Sequence, residues 1–336
     1  MLSLLTTRKI WLYNYLKIYI GGYMFEYNYN SKDKALFVTL PISISFGYQF
    51  LDSISDMIDK TLYNKKNNVE SVFFSCSQDA MYDKMSKAYL LNVWLYMSTY
   101  KIVKIHKFLG KMIYSTISIE DGARFKEINI IDDITDENLT YYRFHGDKNV
   151  KKPVDEMAKL LVEKNLCINS ETVKEFLSTT IGEIFSNSIN HSEQDEIFFM
   201  YDIIYEKGDF YLCINIIDYG TTIIANVYNF FDKEEYLDGK KCIEWAIQNG
   251  NTTRIGSGGY GLPTLISYIK STGGNLYILS GNANYRLESG NETILDSKGV
   301  FSGTSITFKV KLYDTQRQIT YDSEKESLVS INLEDI

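Results

Sequence analysis

The chain has 336 residues, 45% hydrophobic and 14% aromatic, with a formal net charge of −8 and a pI near 5.1. Its length and apolar content allow a sizeable core, are read as two domains, and exclude general disorder. The acidic balance excludes a general electrostatic grip on nucleic acid or an anionic membrane, so small molecules and proteins are the expected partners.

Residues 1–25 are apolar at first sight, yet Arg8, Lys9 and Lys17 interrupt them, and no run reaches the ~20 apolar residues of a membrane span. Neither a span nor a signal peptide is expected. Trp11, Tyr13, Tyr15, Tyr19 and Tyr23 mixed with basic residues leave an interfacial helix as the minor alternative to a packed or frayed terminus. Cys76, Cys167, Cys213 and Cys242 show no Cys-x-x-Cys spacing, and only three histidines occur, so neither a zinc site nor a disulfide framework is indicated. A reducing, cytoplasmic location is expected.

Ala35 to Leu40, Val69 to Cys76 and Lys101 to His106 have the β-branched and aromatic content of buried strands. Phe50, Ile54, Met57 and Ile58 fall on one face of a helix, and Met85, Leu90, Val93 and Met97 crowd a second. Residues 1–150 therefore read as a small α/β domain with helices on a short sheet. Tyr114 to Asn149 has no clear assignment. Gly146 to Asn149, before Pro153, reads as a linker and sets the expected boundary near residue 150.

After it, Val154 to Leu166 reads as a helix, and Ser170 caps a longer one. Val173, Phe176, Leu177, Ile181, Ile184, Phe185 and Ile189 form its apolar stripe, which leaves Glu183, Asn187 and Asn190 on another face. Such a pair as Glu183 and Asn187 is usually a solvated surface when it stands alone. Ile197 to Tyr205 and Phe210 to Ile217 read as antiparallel strands joined through Glu206 to Asp209, and the second ends in Asp218-Tyr219-Gly220. A carboxylate at a strand end can accept from an exocyclic amine, and a turn explains Asp-x-Gly equally well. Gly256 to Gly261 fits Gly-x-Gly-x-x-Gly but precedes an apolar helical run, Leu262, Leu265, Ile266 and Ile269, instead of following the first strand of a βαβ unit. Amides of such a loop at a helix N-terminus can surround phosphate oxygens, with a plain flexible loop as the alternative. Gly273-Gly274 ends that helix, Leu276 to Ser280 reads as a strand, and Gly303-Thr304 opens the last one, Ser305 to Leu312.

This order of motifs resembles the GHKL ATP-binding superfamily, which includes histidine kinases, anti-sigma-factor kinases, MutL, type II topoisomerases and heat-shock chaperones. The resemblance covers roughly residues 165–313 and is nearest to the anti-sigma and histidine-kinase versions, through Ser188 to Ser192. It implies a two-layer α/β sandwich of the Bergerat type over residues 151–315, followed by an acidic polar tail, 316–336. It implies ATP and magnesium as ligands, with Asn187 holding the metal and Glu183 orienting or deprotonating the attacking water or hydroxyl. Asp218 would accept from the adenine amine, Gly220 would give room beside the ring, and Thr304 would support the adenine. Asn190, Gly256, Gly258, Gly259, Gly261 and Leu262 would complete the nucleotide contacts, and Thr221 to Ile255 would be a mobile lid.

One departure stands out: Thr222 occupies the place where the family turn usually carries a second glycine. The histidines lack the phospho-acceptor helix of autophosphorylating histidine kinases. About two dozen residues follow Leu312, which leaves no room in this sequence for the downstream domain of the chaperone, MutL and topoisomerase branches. The first domain resembles the STAS-like regulatory domains found beside anti-sigma-type ATPases; a docking or sensing role and plain structural support both stay open. Three functions follow from the resemblance: a slow ATPase whose lid closure switches contact with a protein partner, an anti-sigma-type Ser/Thr protein kinase, or a non-catalytic ATP-dependent binding module. A protein partner, and a homodimer as one form of it, are expectations of the same kind.

Overall fold

The computed structural model describes residues 25–64, 66–114, 118–119, 140–145, 196–231, 238–253 and 259–312, together with helical positions between 155 and 188. The expected N-terminal segment 1–24, the linker at 146–153, the Ser170 cap and the tail lie outside the described residues. The chain is mixed α/β, with parallel and antiparallel sheets, and divides into two compact units, 1–113 and 114–336.

In the first unit β1 (Glu26–Asn30), β2 (Ala35–Thr39), β4 (Ser71–Ser75) and β6 (Ile102–Ile105) form one sheet in that order. β1 runs antiparallel to β2, and the rest is parallel. A second, two-stranded sheet pairs β3 (Ser43–Ile44) with β5 (Met81–Tyr82). The β1–β2 turn is built by Asn30, whose side chain accepts from the Lys32 amide at 3.0 Å, with Lys34 in the left-handed region at φ 48°. Parallel strands need crossovers, supplied by α1 (Tyr48–Ile58) and α2 (Lys84–Ser98), while α3 (Lys107–Tyr114) follows β6. α2 starts where the Asp83 side chain accepts the Ser86 amide at 2.7 Å, and α1 ends in a single π-turn. Phe50, Leu51, Ile54, Met57, Tyr89, Leu90 and Trp94 are all buried, as their helical spacing requires.

In the second unit six strands lie in the order β11 (Asn275–Glu288), β12 (Asn291–Leu312), β10 (Asp209–Asp218), β9 (Glu196–Glu206), β8 (Thr140–His145) and β7 (Ser118–Ile119). All neighbours are antiparallel except β7 and β8. β8 is hydrogen-bonded to β9, with Thr140 opposite Tyr201, so residues 140–145 belong to this sheet. The single strands expected at Leu276–Ser280 and Ser305–Leu312 are halves of a much longer hairpin, closed at Ser289-Gly290. Glu206 to Asp209 is the tight turn expected between β9 and β10, with Lys207 and Gly208 both at positive φ.

One face of this sheet carries Phe199, Ile214, Ile216, Ile278, Ile306 and Phe308, packed with Ile181, Ile184, Phe185, Ile243, Leu265 and Ile269 from helices. Helical residues 179–185 and 187–188 thereby lie with Ile181, Ile184 and Phe185 in the core, as the apolar stripe requires. Three further helices are α4 (Ile223–Phe230), α5 (Gly239–Ala246) and α6 (Gly261–Thr272), the last ended by Gly273 at φ 64°. Among the described residues no helix is long and apolar enough to cross a membrane.

Candidate functional site

Ladder pairing, and not proximity in sequence, assembles the site. β10 runs out at Asp218, and its register places Thr304 of β12 on one side and Ile197 of β9 on the other. The turn after Asp218 is held by Tyr219, whose ring meets Phe198 at 5.9 Å and Phe301 at 5.6 Å. Asp218 is only 2% exposed. Its carboxylate accepts from the Gly220 amide at 3.2 Å, from the Ser188 side chain and from the Thr304 backbone. Burial nevertheless pushes its pKa up to about 7, and those three donors only partly oppose the shift.

A cleft opens above this carboxyl. Asn187, Ser188 and Ile184 line it from the helix, Asp218 and Thr304 from the sheet, Ile223, Asn226 and Val227 from α4, and Gly259, Gly261, Leu262 and Pro263 from the entry to α6. Trp245, Asn251, Thr252 and Thr253 complete the wall after α5. The Asn251 side chain donates to the Trp245 carbonyl at 2.9 Å, and the Gly250 amide donates to Gly259 at 3.0 Å, which ties this wall to the start of α6.

Glu183 stands at the rim, exposed, and is not a lining residue. It is nevertheless close to Asn187 through the start of α6. A Cβ on Gly261 would sit 3.1 Å from Glu183 Cβ, 3.4 Å from its Oε2 and 3.5 Å from Asn187 Nδ2. Glycine is thus what lets α6 begin against the two polar side chains, leaving its first amides near both. Gly261→Val is expected to overpack this approach and cost about 1–3 kcal/mol, read as a lower urea midpoint at unchanged slope.

Of the residues expected at the site, Asn187, Asp218, Gly259, Gly261, Leu262 and Thr304 line one cleft, and Glu183 lies at its edge. Gly220 is not a lining residue and touches the site through its amide bond to Asp218. Asn190, Gly256 and Gly258 lie outside the described residues. Thr222 has a structural explanation: at φ −73° it caps α4, accepting the Ala225 amide at 3.0 Å, so no glycine conformation is required there.

The sequence reading gave Ser280 no place at the site, and it held Ser188 only within the Ser188 to Ser192 segment and Asn226 and Trp245 only within the lid. Ser188 carried a signal, a hydroxyl four residues after Ile184 on the apolar stripe, where a polar group must find a buried partner. Among the described residues no three His, Cys, Asp or Glu side chains cluster as a metal cage. One carboxamide, Asn187, is a hard-oxygen donor suited to a magnesium ion whose other ligands are phosphates and water. The chain matches no protein-family model and no curated protein.

Proposed function

We propose that the second unit binds ATP with magnesium in the manner of the GHKL superfamily and hydrolyses it slowly, with closure of the segment after Asp218 controlling contact with a protein partner. The observation that carries this is the convergence on one cleft of Asn187, Asp218, Thr304 and Gly261, drawn from a helix, two strands and a helix start far apart in sequence. A buried carboxyl at the cleft floor suits an amine donor better than another acceptor, and an exposed carboxylate beside an open helix N-terminus suits a reacting phosphate.

In this reading the adenine lies against Asp218 and Thr304, and the phosphates lie toward the start of α6. Asn187 would hold the magnesium ion, which would supply charge compensation for the phosphates. Glu183 accepts the proton of the attacking water as its oxygen bonds to the γ-phosphorus; the bond to the β–γ bridging oxygen breaks, giving ADP and inorganic phosphate. α4 and α5 carry the lid, where Phe230, Phe231 and Trp245 pack on one another with ring centroids 5.3–5.5 Å apart.

The exposure of Glu183 favours a second reading, in which the hydroxyl of a partner protein takes the place of water and the unit is a Ser/Thr kinase. Incubation with γ-labelled ATP and magnesium separates the readings. Wild type is expected to release labelled phosphate, and Glu183→Ala to bind ATP with less than about threefold change while release falls at least about 100-fold. Label transferred only when a partner is added identifies the kinase. Bound ATP that is never consumed by either protein removes the catalytic role of Glu183 and leaves a binding module.

A further inference from the structure

Ser280 is fully buried in β11 and is not among the cleft-lining residues, yet it sits behind one of them. Its Oγ has three neighbours. The Ile223 amide donates to it at 2.9 Å, it donates to the Gly303 carbonyl at 2.9 Å, and Thr304 Oγ1 lies 3.0 Å away. The Gly303 carbonyl is within reach because the β11–β12 register steps from Ser280 opposite Thr304 to Gly281 opposite Phe301, so the ladder skips Ser302 and Gly303.

A hydroxyl has one proton to give and two acceptor sites. A carbonyl can only accept, so the Ser280 proton goes to Gly303. An amide N–H can only donate, so Ile223 takes one lone pair of Ser280. The remaining lone pair faces Thr304, whose own proton must therefore point back at Ser280. Whatever approaches Thr304 Oγ1 from the cleft meets lone pairs only. Beside it, above pH 7, the ionised Asp218 carboxylate is also a pure acceptor, held by Gly220, Ser188 and the Thr304 backbone.

We infer that Ser280 is a positioning residue: by holding the Thr304 proton away from the cleft it makes the Asp218–Thr304 wall all-acceptor, and so selects a 6-aminopurine nucleotide over its 6-oxo counterpart. This rests on the reading of the cleft as a purine-nucleotide site. A 6-amino group offers protons to such a wall. A 6-oxo group brings another acceptor against it and leaves buried acceptors unpaired, the situation in which sites built for a hydrogen bond discriminate most. Once Ser280 is lost, the Thr304 hydroxyl can turn and donate, so the penalty on the 6-oxo ring falls.

The test is calorimetric titration of the full chain at about pH 8.5, where Asp218 is ionised, with the magnesium salts of ATP and inosine triphosphate, which differ in this group. Wild type is expected to prefer ATP by at least about 100-fold. Ser280→Ala is expected to cut that ratio about tenfold, chiefly through tighter binding of inosine triphosphate. In a Thr304→Val background, which has no hydroxyl to orient, adding Ser280→Ala should leave the ratio unchanged. If the alanine variant does not fold, Ser280→Cys keeps the volume while offering only a weak donor and acceptor, and the same change in ratio is expected. ATP binding with an equal loss for both nucleotides in Ser280→Ala, or an equal drop in ratio with and without Thr304, overturns the inference alone. Binding of neither nucleotide by wild type overturns the purine-nucleotide reading as well.

Discussion

Asp218→Asn is expected to stabilise the second unit above pH 7 while weakening its affinity for ATP. The wild-type carboxyl, 2% exposed and pushed up to about 7, is easier to keep protonated in the folded chain than in the unfolded one, where an ordinary value near 3.8 applies. Between those values the folded state binds more protons, so stability falls as pH rises. The contribution is fully present below about pH 4 and is lost as pH climbs through 7. The loss is about 1.4 kcal/mol per pH unit across that window, on the order of 4 kcal/mol in all. Asparagine has no charge to bury, and the Ser188 hydroxyl can reverse to accept from its amide. The variant should therefore be nearly level over the same window, and its advantage over wild type should grow from acid to pH 8. An amide in place of the carboxylate also presents a donor where the adenine amine needs an acceptor, and ATP affinity should fall about 100-fold. In wild type ATP binding should tighten toward pH 7, since the ionised carboxylate is the better acceptor. Hydrogen exchange of the β10 amides over pH 5–8, beside titration with ATP, reads both effects. Undiminished ATP affinity in Asp218→Asn would remove Asp218 from the adenine site.

What could be read from the sequence, and what could not, divides along the locality of the forces. β2, β4 and β6 were legible because their β-branched and aromatic residues stand in apolar runs, even though β6 is an edge strand and β2 and β4 bury only part of their residues. β1, with the sequence EYNYN, escaped notice: it is an edge strand whose polar side chains carry no run, and only its pairing with β2 makes it a strand. β8 was hidden for a different reason: it lies inside the sheet, but the pairing of Thr140 with Tyr201 spans some sixty residues and leaves no local signal.

The middle of the β11–β12 hairpin was obscured by chemistry that looks like a loop. Gly281, Asn282, Ser302 and Gly303 are turn residues by composition, but here they occupy bulges where the register shifts. Those bulges are also what bring the Gly303 carbonyl to Ser280. The site was legible where a side chain type announces a chemical task, as with Asp218 or the glycines ahead of α6. It was illegible where a hydroxyl acts through another residue: Ser280 has no motif, and its role is defined by Thr304 on the neighbouring strand.

Gly303 is where fold and site depend on one atom, and Gly303→Ala is expected to damage both. At φ 115° the residue occupies backbone space that side chains avoid. An added Cβ would lie 2.6 Å from Tyr219 Cα and closer still to the Asp218 carbonyl oxygen. Both of those atoms are backbone, so no rotamer change relieves the clash. β12 must move away from β10 where Thr304 pairs with Asp218, and the Thr304 amide bond to the carboxylate stretches with it. Strain at positive φ together with the clash should cost on the order of 3–5 kcal/mol, a large share of a typical domain's stability. Because the displaced pair is the proposed adenine wall, ATP binding should fall at least about 100-fold even at low temperature, where the folded state persists. Exchange protection should be lost first at the Asp218 end of β10 and β12 and least at the Lys207 turn. Uniform loss of protection along both strands would mean global destabilisation without a local opening, and unchanged stability would show that the close approach of Gly303 to the Asp218–Tyr219 backbone is not required.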